Sequence, residues 1–79
     1  MDRIQKFLLK LDKNRRSICL KIFQDIRALN LKKYDIETLK SVGGVFRLRK
    51  GNIRIIFAKQ NNKGFVINAD FRQNIYKKI

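Results

Sequence analysis

The sequence predicts an α+β domain: an N-terminal αα-hairpin packed on an antiparallel β-sheet of three or more strands, closed by a short C-terminal helix or tail. Three observations predict it. Apolar residues recur at helical spacing through residues 2–30, the texture turns to alternating β-branched and aromatic residues from Val45, and Gly/Asn-rich stretches punctuate that second half. A chain of 79 residues suffices for one small domain, and residues 1–79 read as a single one.

In the first half, Ile4, Phe7, Leu8 and Leu11 fall at i, i+3, i+4 and i+7 and line one face of a helix. Asp12-Lys13-Asn14 interrupts that run with residues that favour caps and turns. A second pattern follows in Ile18, Cys19, Ile22, Phe23, Ile26 and Leu29. Lys10, Arg15, Arg16, Lys21 and Arg27 lie between the apolar faces and read as a solvated outer surface. Residues 31–44 lack a clean period and read as a connecting segment, with Ile36 and Leu39 tucked against the core and Gly43-Gly44 closing it. Strands are expected at Val45 to Lys50, Ile53 to Lys59 and Phe65 to Ala69, and Phe71 to Ile79 as a helical turn or tail. There is no repeat, no low-complexity segment and no linker.

Composition narrows the function. Twenty Lys and Arg against six Asp and Glu give a formal net charge of +14, with no His, no Pro, no Trp and one Cys. This excludes a zinc-ligand set, Ser-His-Asp or Cys-His nucleophile chemistry, a His-pair ribonuclease and a disulfide framework, so neither metal nor cofactor is expected. Cys19 reads as a small core residue and fits a reducing compartment. A domain this small buries only about 60% of its unfolded surface, so self-repulsion of this size is best understood if a polyanion neutralises it, with nucleic acid the leading class. With no apolar leader behind a basic start and no run of 18 apolar residues, a cytoplasmic protein without membrane association is expected.

The first β-hairpin is the most informative segment. With Gly51-Asn52 at the turn, Lys50 pairs with Ile53, Arg49 with Arg54, Leu48 with Ile55 and Arg47 with Ile56. Phe46, Leu48, Ile53, Ile55 and Phe57 then face the helices, whereas Arg47, Arg49 and Arg54 share the opposite face. Like charges opposed across strands destabilise a sheet by about 0.2–1 kcal/mol, and a face built for solubility would alternate signs. With no carboxylate read between them, the cluster reads as a preformed anion site, for which the planar guanidinium fork is suited. For the next strand, a two- or four-residue loop would put Phe65, Ile67 and Ala69 on the arginine face and a three-residue loop would put them in the core; burial favours the latter. Arg72 and Tyr76 are four apart and would share a face if the last segment is helical rather than a tail.

The run GGVFRLRKGNIRIIFAKQ at 43–60, with VINADFRQNIYKKI at 66–79, resembles the C-terminal half of the RelE/ParE toxin superfamily, and KFLLKLDKNRR at 6–16 resembles the helical hairpin that precedes it there. The resemblance implies a toxin of a bacterial or archaeal toxin–antitoxin pair, two helices packed on a twisted antiparallel sheet. RelE-like members are ribosome-dependent mRNA endoribonucleases, or mRNA interferases, that inhibit translation. By position Arg47, Arg49 and Arg54 match the family's basic, RNA-binding positions, and Arg54, Arg72 and Tyr76 its catalytic ones. The implied partners are mRNA, the ribosome and a cognate acidic antitoxin. Two positions depart from the pattern. Arg47 and Arg49 stand where lysines are usual and stay protonated, so they stabilise charge but do no general-base work; and the helical pattern begins where the family usually has a strand, implying a shortened variant with an exposed sheet edge. A ParE-like inhibitor of DNA gyrase and a catalytically inactive RNA-binding member are the alternatives.

RNA cleavage needs no His in principle, because the 2′-hydroxyl is an internal nucleophile and the protein must mainly align it and stabilise the developing charge. Tyr76 is the candidate for proton transfer, or for stacking on a base.

Overall fold

The computed structural model describes residues 2–39 and 43–78, with side chains as far as Ile75. Its elements are α1 (Arg3–Lys10), α2 (Lys13–Arg27), β1 (Asp35–Thr38), β2 (Val45–Lys50), β3 (Ile53–Gln60), β4 (Lys63–Phe71) and α3 (Arg72–Lys78). The strands form one four-stranded antiparallel sheet in the order β1-β2-β3-β4. The α+β class expected from the sequence is the one observed.

Both long helices start on an aspartate. The Asp2 carboxylate accepts from the Gln5 amide and that of Asp12 from the Arg15 amide, each at 2.8 Å, satisfying a donor that a helix start leaves open. Arg16 is not part of a solvated outer face. Its Nε and Nη2 donate to the Leu8 and Leu11 carbonyls at 3.0 and 2.9 Å, which ties the end of α1 to the start of α2. Phe7, Leu11, Cys19, Ile22 and Ile26 are buried against Leu48, Ile53, Ile55, Phe57 and Ala69 of the sheet.

The β2–β3 register is the expected one, Arg49 opposite Arg54 and Leu48 opposite Ile55. Gly51 supplies φ +58° at the first turn position, the requirement of a type II′ hairpin. Phe46 stacks on Phe57 with ring centroids 5.5 Å apart.

Two expectations are corrected. Residues 31–44 are not merely a connection, because Asp35–Thr38 forms β1, pairing Asp35 with Arg49 and Glu37 with Arg47. Ile36 packs against the core from this edge strand while its acidic neighbours take the other face. The β3–β4 loop is also not of three residues. Asn61 and Asn62 take φ 53° and 62°, a two-residue turn that Asn tolerates, and Gln60 pairs with Lys63. Phe65 therefore lies opposite Ala58 and Val66 opposite Phe57. A β-bulge follows: Ile56 pairs with Asn68, leaving Ile67 as the extra residue. Phe65 and Ile67 stay exposed, whereas Ala69 returns to the core and Phe71 meets Phe7 edge-on at 5.2 Å.

Gly64 sits where α2 meets β4. A Cβ there would lie 2.0 Å from the Ile26 carbonyl oxygen and 2.8 Å from its carbon, a collision with backbone that no rotamer change relieves. Gly64→Ala is expected to destabilise the domain by at least about 1–3 kcal/mol, the range for overpacking, and urea denaturation beside the wild type measures it.

Candidate nucleic-acid interface

The β2–β3 hairpin brings Arg47, Arg49 and Arg54 onto the sheet face turned away from α1 and α2, because all three occupy outward positions of the two strands. They are not without carboxylates. β1 carries Glu37 and Asp35 directly across from Arg47 and Arg49, and Asp70 of β4 stands opposite Arg54. Arg47 pairs closely with Glu37, while Arg49 Nε lies 3.2 Å from Asp35 and its Nη2 3.9 Å from Glu37. The edge strand thus supplies the alternation of sign that the hairpin alone lacks.

The three guanidiniums are unequally available. The Arg49 side chain is 39% exposed and that of Arg47 15%. Arg54 is buried, and its Nη1 donates to the Gly51 and Ile53 carbonyls at 2.8 and 3.0 Å, so it braces the hairpin turn from inside. Its register partner Asp70 is buried too, accepting from the Phe71 amide at 2.8 Å and from Asn74 Nδ2 at 3.1 Å. α3, which packs on β3 and β4, is thereby tied to this end of the sheet. The Arg72 amide donates to the Asn52 carbonyl at 2.6 Å, and the exposed Arg72 begins α3 beside the turn that Arg54 braces. The backbone of Tyr76 lies one turn further along α3; its side chain lies outside the described residues.

A second charged network holds the strand that carries the carboxylates. Asp25 of α2 is buried and accepts a hydrogen bond from the Tyr34 hydroxyl, with Lys21 Nζ at 3.4 Å and Lys33 Nζ at 3.6 Å. The Tyr34 hydrogen bond, with the two lysines, holds the Asp25 carboxyl below its ordinary range. Burial and the neighbouring carboxylate push the Tyr34 phenol up to about 12. Asp25, Tyr34, Asp35 and Glu37 were not singled out from the sequence. The alternation Tyr34-Asp35-Ile36-Glu37-Thr38 is the signal that could have found β1.

No family model matches the sequence, and no curated protein matches it significantly. Among solved structures, the fold is similar to a chain in the RelB–RelE antitoxin–toxin complex from Methanococcus jannaschii, with a TM-score of 0.73 and 23% identity over 100% of this chain and 95% of that one. At this identity the likeness is one of fold.

The Tyr34–Asp25 pair has a definite pH signature. The folded-state pKa of Tyr34 lies above its unfolded value near 10, so its contribution is fully present below pH 10 and is lost as pH rises toward 12. Asp25 is shifted down, so its contribution is present above about pH 4 and is lost as the pH falls below that. Tyr34→Phe is expected to lower stability at pH 7 and to flatten the alkaline limb between pH 10 and 12, read from thermal melts across pH.

Proposed function

We propose that this chain is the toxin of a toxin–antitoxin pair and that it binds and cleaves mRNA engaged on the ribosome. The observation that carries the proposal is the convergence of Arg47, Arg49 and Arg54 on one sheet face, with Arg72 at the same end, in a fold like that of a RelB–RelE chain. A charge of +14 favours the role of the RNA-directed partner over that of an acidic antitoxin. In this proposal Arg47 and Arg49 exchange Glu37 and Asp35 for phosphate oxygens, since carboxylate and phosphate use the same two parallel N–H donors. The 2′-oxygen bonds to phosphorus as the bond to the 5′-oxygen breaks, leaving a 2′,3′-cyclic phosphate; Arg72 stabilises the negative charge on the non-bridging phosphoryl oxygens, Arg54 keeps the hairpin in shape beside it, and Tyr76 passes the 2′-hydroxyl proton to the leaving 5′-oxygen. An acidic antitoxin segment across the same face would restrain the toxin by taking the same donors.

A second reading, an RNA-binding chain without catalysis, is favoured by one observation: Arg47 and Arg49 already hold carboxylates. The test is a coupled translation reaction. Cuts within codons are expected, and Arg72→Ala and Tyr76→Phe should each reduce them by about 10²–10³. Intact mRNA alongside RNA binding supports the second reading, and loss of gyrase supercoiling with intact mRNA supports a gyrase inhibitor instead. The paired change Asp35→Asn with Glu37→Gln should tighten RNA binding at low salt by releasing Arg47 and Arg49; unchanged affinity counts against phosphate exchange on this face.

A further inference from the structure

The helix side of the hairpin tip carries a feature that the arginine face does not explain. A cleft of about 570 Å³ lies between α2, the segment leading into β1 and the end of β2, and Lys21, Lys33, Arg49 and Lys50 line it. A smaller hollow of about 180 Å³ continues it past Arg15, sharing Ile18, Lys50 and Gly51 with the first. Together they form a groove lined by five basic residues and the exposed Ile18; Lys21, Lys33, Lys50 and Arg15 belong to it alone, whereas Arg49 also belongs to the outward sheet face.

Two of those cations are set in place from behind. The buried Asp25 holds Lys21 Nζ at 3.4 Å and Lys33 Nζ at 3.6 Å, while both side chains remain 62% exposed. An ammonium has three donors, and contact with one carboxylate leaves others for a ligand in the cleft. Tyr34, bonded to Asp25, also lines the cleft, so the carboxylate that both lysines contact is itself held in place. The lining includes one carboxylate, Asp35, which pairs with Arg49. Even counting Asp35 and Asp25, the cations are in excess, and among the described residues Lys50 and Arg15 form no ion pair with a carboxylate.

We infer that this groove is a second phosphate-binding track, which takes the sugar–phosphate backbone of single-stranded RNA leaving the arginine face at Arg49. A row of cations with an apolar floor fits a chain of phosphates whose bases lie against the floor, and it reads no sequence. Arg49 joins the two sites because it belongs to the arginine face and also lines the cleft. The inference shares with the proposed function the premise that the polyanion is RNA. It is independent of whether that RNA is cut.

The test is the salt dependence of binding to a twelve-residue oligouridylate by the full chain. Lys33→Gln with Lys50→Gln removes two groove contacts while leaving Tyr34 on Asp25, and should lower the slope of log K against log salt by about 1.4, at about 0.7 per phosphate. Lys6→Gln with Lys63→Gln, the same change of charge outside the groove, should lower it by much less. Thermal melts of both variants check that each folds. In the wild type the amide resonances of Ser17, Lys21 and Gly51 should shift on adding the oligonucleotide. Equal slopes in the two variants, or shifts confined to the sheet face, would overturn the inference. So would a groove variant that loses poly-glutamate binding and keeps RNA binding, which would make the occupant an acidic protein segment. Intact mRNA in translation with groove binding retained defeats the proposed cleavage alone, whereas cleavage with equal slopes defeats the groove alone.

Discussion

The fold rests on where so few negative charges are spent. Six carboxylates stand among twenty basic side chains, and each has a defined place. Asp2 and Asp12 start the two long helices, and Asp25 anchors Tyr34 and two lysines. Asp35 and Glu37 stand across from Arg49 and Arg47, and Asp70 joins β4 to α3. A helix cap contributes about 1 kcal/mol and a cross-strand pair about 0.2–1 kcal/mol, appreciable amounts against the few kcal/mol of a domain this size. All six acidic residues already hold a partner, three of them at the exposed positions Asp2, Asp12 and Asp35, so most of the positive charge faces solvent and whatever anion comes to it.

The arginine face consequently differs from a bare cationic patch. The guanidiniums of Arg47 and Arg49 are held in line by an edge strand of only four residues, which is in turn held by the Tyr34–Asp25 contact next to it, while Arg54 is held by the turn carbonyls. A ligand for Arg47 and Arg49 competes with carboxylates already oriented for the same donors. Selectivity then favours ligands that present several anionic groups at once, because a single monoanion only replaces what it displaces.

How far the sequence could be read varies with how local each feature is. The β2–β3 register and the shared face of Arg47, Arg49 and Arg54 were legible because a Gly-Asn turn and period-two alternation are short-range signals. β1 was hidden by its brevity and by having one strongly apolar inward residue, Ile36, between two acids. The bulge at Ile67 was not legible at all, since a change of parity inside a strand is decided by what packs on either end of it. Nor was the burial of Arg54, which looks in sequence like its exposed neighbours and depends on the turn carbonyls and the end of the sheet where α3 packs. For Tyr76 the sequence left a helical turn or a tail open, since nine residues carry too little period to decide, and the backbone of α3 makes it helical.

The bulge in β4 also governs how the chain can change in length. Gly64 and Val66 must face the helices before it, and Ala69 and Phe71 must face them after it, an odd interval that an unbroken strand cannot span. Losing or gaining one residue between them would turn one half of the strand inside out. Among descendants of such a chain, single insertions and deletions should therefore accumulate in the surface turns and be absent from residues 64 to 69, or arise there only in compensating pairs.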